Sequence, residues 1–275
     1  MIHDAPHTAI LLSGNNHVIE GNDIHSVTLE TGDVGAFYMG RDWTARGNLL
    51  RHNLIHNLGN DDTNGIYLDD CASGTHVFGN ILFRAAREVH VGGGRDNLIE
   101  NNIFIDPRPA AVKFDARATG WAKGMIEGPN PTLMDRLQAM PYQEPPWSQY
   151  YPALVNILND DPALPKGNVV RRNVFYLGQP LQFMDNTQGL VAIYDNLTGV
   201  DPGSIALGRR RASTGSCGPT SDLLRSGPFL CTRDIGRPGK RKNRSPSSPR
   251  QQRRRGRWGR GKTSGCHLPL HLTSC

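Results

Sequence analysis

No run of 18 apolar residues occurs anywhere in the 275-residue chain, which excludes a transmembrane helix. Cysteine is almost missing from the first three quarters. Residues 1–208 hold Cys71 alone, and Cys217, Cys231, Cys266 and Cys275 all lie beyond, so no disulfide framework ties the body together. Aromatic residues make up 7% and hydrophobic residues 37%, while glycine is abundant at 31, a balance that disfavours a thick helical core. The opening segment Met1-Ile2-His3-Asp4-Ala5-Pro6-His7 has no basic stretch followed by an apolar one, the pattern of a secretion signal. The expectation is that the chain is a fragment of a longer protein.

Charge is uneven. Residues 1–208 carry 14 Lys and Arg against 23 Asp and Glu, whereas residues 209–275 carry 17 against two. The formal net charge of +6 therefore comes from the tail and implies no nucleic-acid partner for the body. The tail has no apolar period and its like charges repel, so residues 209–275 read as a basic disordered segment. An out-of-frame or truncated ending accounts for it better than a nucleic-acid-binding arm, because one nearby aromatic, Trp258, accompanies the charge.

What is present in the body is a repeat. Five segments superimpose without gaps, beginning at His17, Asn48, Thr75, Asn97 and Asn168, each with an Asn in its sixth position followed by apolar residues; a weaker copy carries Asn196. These Asn residues, 22, 53, 80, 102, 173 and 196, are 31, 27, 22, 71 and 23 positions apart. A period near 22 with variable insertions is the mark of a solenoid. The apolar runs are only three to five residues long, too short for helices, and β-branched and aromatic residues flank each Asn on both sides. Stacked parallel strands ~4.8 Å apart follow, with the Asn residues in a ladder at one bend. Asn is expected there because it tolerates left-handed backbone angles and its amide bonds the next copy.

A second register runs through Phe37-Tyr38-Met39-Gly40, Ile66-Tyr67-Leu68-Asp69, Val89-His90-Val91-Gly92 and Val112-Lys113-Phe114-Asp115, starting 29, 23 and 23 residues apart. Alternation sends the first and third member of each inward and places Tyr38, Tyr67, His90 and Lys113 in an outward column facing solvent. The period breaks over 118–167, which is rich in proline and aromatics and includes an expected short helix at 132–140 capped by Thr132 or Asn130. A loop of this length is expected to fold back on the solenoid.

The chain resembles the right-handed parallel β-helix superfamily that includes pectate lyases and polygalacturonases. The resemblance covers roughly residues 9–198 and is carried by Gly79-Asn80-Ile81-Leu82-Phe83 and Glu100-Asn101-Asn102-Ile103-Phe104-Ile105. Segments 35–43, 65–70 and 89–97 resemble bacterial members associated with glycoside hydrolases. It implies an all-β fold, a solenoid of about six coils, and a secreted enzyme, extracellular or periplasmic, acting on a polysaccharide or oligosaccharide without a membrane partner.

The residues bear on that implication independently. Asp69 and Asp115 share a strand-end register two coils apart, hence ~9.6 Å between backbones. Their carboxyls can then flank the water of an inverting glycosidase, with His90 between them organising it. Tyr38, Tyr67, Trp121 and Trp147, with Tyr150, are candidates to stack on sugars, and Arg41, Lys113 and Arg117 to hold acidic groups. A lyase is the runner-up, with Lys113 or Arg117 as base and Ca²⁺ on Asp69, Asp70 or Asp115; nearby Asp residues should raise the Lys pKa and oppose it. Outside the lyase reading no cofactor or metal is expected. A noncatalytic carbohydrate-binding solenoid is the third reading. The many histidines lack metal-ligand spacing, Gly92-Gly93-Gly94 lacks the Lys-Ser/Thr of a phosphate loop, and Cys71 reads as a small buried filler.

Overall fold

A computed structural model describes residues 1–203; the basic tail lies outside the described residues. Nineteen short strands wind into three parallel sheets, one of seven strands and two of six, in which each strand pairs with its counterpart one coil away. Six coils result, each visiting the three sheets in turn after the lead strand Ile2–His3. The sheet built from Val34–Gly40, Thr63–Asp69, Arg87–Gly92 and Ala110–Asp115 has the longest strands and is called the groove sheet below.

The interior is a set of like-on-like columns. Phe37, Ile66, Val89 and Val112 lie in one register, and Met39, Leu68, Val91 and Phe114 in the next, all buried. Each such side chain contributes about 1.5–3 kcal/mol relative to exposure, and each coil can bury its face only against its neighbours. Columns end in stacked rings, Phe104 on Phe175 at 5.1 Å and Phe114 on Phe183 at 5.7 Å.

The Asn ladder is continuous. From Asn22 through Asn53, Asn80, Asn102 and Asn173 to Asn196, each residue's backbone N–H and side-chain amide both donate to the Oδ1 of the next, at 2.9–3.1 Å. The left-handed residue at this bend is not the Asn, contrary to expectation, but the one before it: Gly21, His52, Gly79, Asn101, Arg172 and Asp195 all have φ between 54° and 67°. Asn is required for its amide, which satisfies backbone groups that the bend buries. A shorter second set of bonds occupies the opposite end of the third sheet's strands, where Thr75 N donates to Asn97 Oδ1 and Asn97 N to Asn168 Oδ1. These are the first positions of the aligned repeats.

The insertion leaves the groove sheet after Asp115 and returns at Asn168, through short helices that include Gly124–Glu127, Thr132–Gln138, Trp147–Tyr150 and Pro152–Val155. Pro131, not Thr132 or Asn130, is the residue at the start of the 132–138 helix, and no side chain caps it. A small core of Leu133, Leu137, Leu154 and Ile157 closes over Trp43 and Cys71 at the solenoid corner. Trp147 packs against this core and against Tyr151, away from the groove sheet's outer face. Bonds from Arg95 to Asp160 and from Tyr151 to Asn16 pin the insertion down. No helix among the described residues is long and apolar enough to cross a membrane.

Candidate functional site

Strand alternation puts Tyr38, Tyr67, His90 and Lys113 on the outer face of the groove sheet in exact cross-strand register. The column does not simply face solvent. Tyr67 and His90 are only 3% and 4% exposed, because their rings stack on each other at 4.7 Å and Arg117 lies over Tyr67. The result is the floor of a groove of about 470 Å³, walled by Asp33, Asp62 and Arg87 on one side and by Arg41 and Trp121 among others.

At the strand ends, the order Gly40, Asp69, Gly92, Asp115 leaves a notch at Gly92, between two carboxylates. The guanidinium of Arg117 fills it. A Cβ on Gly92 would lie 2.3 Å from Arg117 Cζ, so no side chain fits at this position while the arginine is seated. Arg117 Nε and Nη2 donate to the two oxygens of Asp115 at 2.9 and 2.7 Å. Nη1 donates to Asp69 and, at 3.1 Å, to Asp70. The space expected for a water between Asp69 and Asp115 is thus occupied by a cation, and their nearest oxygens are separated by the width of one guanidinium.

The two carboxylates differ in how firmly they are held. Burial pushes the Asp115 carboxyl up, but bonds from Arg117 and His90 outweigh it and hold Asp115 well below the usual carboxylate range. Asp115 also accepts the Arg117 backbone N–H. Asp69 has one guanidinium nitrogen of Arg117 and the Tyr38 hydroxyl, which donates at 2.5 Å. Arg41 Nε donates to Asp70 at 2.8 Å. Burial lowers His90 to about 4, more than its contact with Asp115 raises it, so its ring is neutral near pH 7. Nε2 donates to Asp115 at 3.0 Å, leaving Nδ1 buried without a partner. Burial raises both Tyr38 and Tyr67, helped by Asp69, and both stay protonated.

With three parallel sheets and this register established, the family comparison is decisive for the fold: residues 1–120 match the family model described as a right handed beta helix region. The described residues form a right-handed parallel β-helix. The matched segment includes Asp69, His90, Lys113, Asp115 and Arg117 and stops one residue short of Trp121. Comparison with curated proteins and with solved structures found no match.

The β-helix brings together nine of the residues singled out from sequence: Tyr38, Arg41, Tyr67, Asp69, Asp70, His90, Lys113, Asp115 and Arg117 line one groove, and Trp121 joins them from the insertion at 71% exposure. Trp147 and Tyr150 do not line it. Asp33, Asp62 and Arg87 were not singled out; they sit near the starts of the groove strands, where no shared residue type marks the column. Lys113 behaves opposite to expectation. Burial and the charge of Arg87 lower its pKa more than Asp115 raises it, because the Asp115 oxygens are taken by Arg117 and His90. Cys71 is fully buried, and burial pushes its thiol up to about 12, the inert filler expected. Among the described residues no group of three or more His, Cys, Asp and Glu side chains is arranged to hold a metal.

Proposed function

We propose that this β-helix is carbohydrate-active and hydrolyses a glycosidic bond in a polysaccharide laid along the groove. The observation carrying this reading is the convergence of Asp69 and Asp115, from alternate coils, on opposite ends of one guanidinium at the groove floor. One of the two carboxyls serves as the acid that gives a proton to the leaving oxygen, and the other as the base that takes a proton from water as its oxygen attacks the anomeric carbon. His90 positions Asp115, and Tyr38 with Trp121 offers ring surface to the sugar.

Reducing-end release from neutral and acidic polysaccharides tests the reading, with Asp69→Asn and Asp115→Asn compared after each is shown to fold. Positioned acids and bases typically contribute ~10²–10⁴-fold in rate, so either variant at full activity would refute the pair.

A lyase reading is favoured by one observation, the unpaired Lys113 with its lowered pKa. As a base it would remove the proton beside a uronate carboxylate, the electrons forming the ring double bond as the glycosidic oxygen leaves. The Ca²⁺ of that reading would need Asp69, Asp70 or Asp115, all of which bond Arg117. An unsaturated, ultraviolet-absorbing product lost in Lys113→Ala would support elimination, and glycan binding without turnover would support a binding module.

A further inference from the structure

One column of the groove sheet is small in three coils and acidic in a fourth. The register that stacks Phe37, Ile66, Val89 and Val112 places Ala36, Gly65, Glu88 and Ala111 one residue before them. Ala36 and Ala111 belong to the apolar core, and a Cβ on Gly65 would lie 2.9 Å from Leu82 and 3.2 Å from Ala85. Glu88 is 0% exposed, and neither carboxyl oxygen has a hydrogen-bond partner of good geometry among the described residues. Burial raises the carboxyl well above its ordinary range, outweighing the backbone of Ile105 and Ala85, which favours the charged form. Asp106, on the next coil, raises it further and is itself paired with Arg84 at 2.7 Å. The neighbours in the column carry no charge, so Glu88 keeps its place only as the neutral acid.

The corner leading into Glu88 is under backbone strain. Arg84 and Ala86 both have left-handed angles, φ 50° and 55°, which residues with side chains rarely adopt. Two backbone bonds tie this corner to the next coil, from Arg84 N–H to Ile105 O at 3.0 Å and from Arg108 N–H to Ala86 O at 2.9 Å. Between corner and acid stands Arg87, which lines the groove. It reaches Asp62 only at 3.4 Å, and that aspartate is 71% exposed, so water screens the pair and the wall is not pinned there.

We propose that Glu88 makes residues 84–88 a pH-sensitive hinge in the groove wall. Neutral, Glu88 stays in its apolar column and Arg87 stands at the wall. Ionised, it leaves the column, the two backbone bonds open, and Arg87 moves with the corner. A carboxyl whose folded pKa lies above its unfolded value of about 4.3 stabilises the fold at low pH, and that stabilisation is lost as pH rises through this range. The sign is opposite to that of Asp115, whose folded pKa is depressed. The inference holds whatever the groove binds, because it concerns the wall and not the chemistry at its floor.

Amide hydrogen exchange of the intact chain between pH 5 and 8 tests the hinge, with Glu88→Gln measured at each pH so that the intrinsic exchange rate cancels. For the amides of residues 84–90, which include Arg87, the ratio of native to variant exchange should rise with pH, by up to about tenfold per unit. At pH 8 these amides should be less protected in the native chain than those of 98–105, by a margin that narrows in Glu88→Gln. Glu88→Ala, which puts at this position the residue that Ala36 and Ala111 supply in their coils, is a second reference and serves alone if Glu88→Gln does not fold. A ratio independent of pH would show that Glu88 does not ionise on opening and would overturn the proposal. Equal protection of 84–90 and 98–105 in the native chain at pH 8 would overturn it as well, since opening would then be global and not a hinge. Neither readout needs turnover, so this test and that of hydrolysis fail independently.

Discussion

Replacing Arg117 with Met keeps the aliphatic stem and removes the charge from the notch between Asp69 and Asp115. In the native chain the guanidinium bonds Asp69, Asp70 and Asp115, which are 7%, 1% and 8% exposed. Breaking a buried ion pair from one side typically costs about 3–5 kcal/mol, and three carboxylates stranded together would reach that range. Against a total stability of about 5–15 kcal/mol for an ordinary domain, the urea midpoint should drop substantially at pH 7. The pH dependence should also change sign. Asp115 titrates below its unfolded value in the native protein, so its stabilisation is present above about pH 4 and lost as pH falls through the folded pKa. In Arg117→Met, the burial of Asp115 is no longer outweighed by the guanidinium and raises its carboxyl instead, so stability should rise as pH falls below neutrality. Urea midpoints at several pH values, read by circular dichroism, measure both effects. A variant within about 1 kcal/mol of the native chain at pH 7, with the same pH profile, would refute the assignment of Arg117 as the shared counter-ion.

Gly92→Ala should displace the guanidinium, since the new Cβ would overlap Arg117 Cζ at 2.3 Å; a lowered urea midpoint and a pH profile like those of Arg117→Met check it. Asn80→Ala removes the acceptor for both the Asn53 backbone N–H and its amide and the donor to Leu50 O, and should cost about 2–4 kcal/mol in urea unfolding. Asn22→Ala, at the half-buried start of the ladder, should cost under about 1.5 kcal/mol, and equal costs would contradict the burial explanation. Cys71, with its thiol pushed up to about 12 by burial, should resist thiol reagents at neutral pH until urea unfolds the chain, which a timed labelling assay reads directly.

The solenoid was legible because its signal is repetitive: a correct reading of one coil is repeated in five others, and the inward columns follow from period-two alternation. The Asn ladder was legible for its position but not for its backbone. The left-handed residues preceding it are Gly, His, Asn, Arg and Asp, which share no composition to mark them. For the site, the column Tyr38, Tyr67, His90 and Lys113 came from register alone, whereas the placement of Arg117 depends on how the chain turns out of the strand after Asp115. That turn belongs to the insertion, where no repeat constrains it. The clue available in sequence was the glycine between two aspartates in the strand-end column, a missing side chain that something else must replace. Trp147 and Trp121 are chemically alike and lie in the same insertion; which of them faces the groove depends on the insertion's own packing.

The insertion leaves and rejoins the solenoid within a single coil, and Asn97 still bonds Asn168 across a separation of 71 residues at 2.9 Å, as closely as any pair of neighbouring coils. The scaffold therefore does not register how many residues that excursion contains. The stacking of coils is indifferent to the length of the insertion, so the loop can be lengthened or reshaped without a new fold having to be found. The boundary arginine is the exception: it stands at the doorway, and any replacement loop would have to begin by placing the same cation in the same notch.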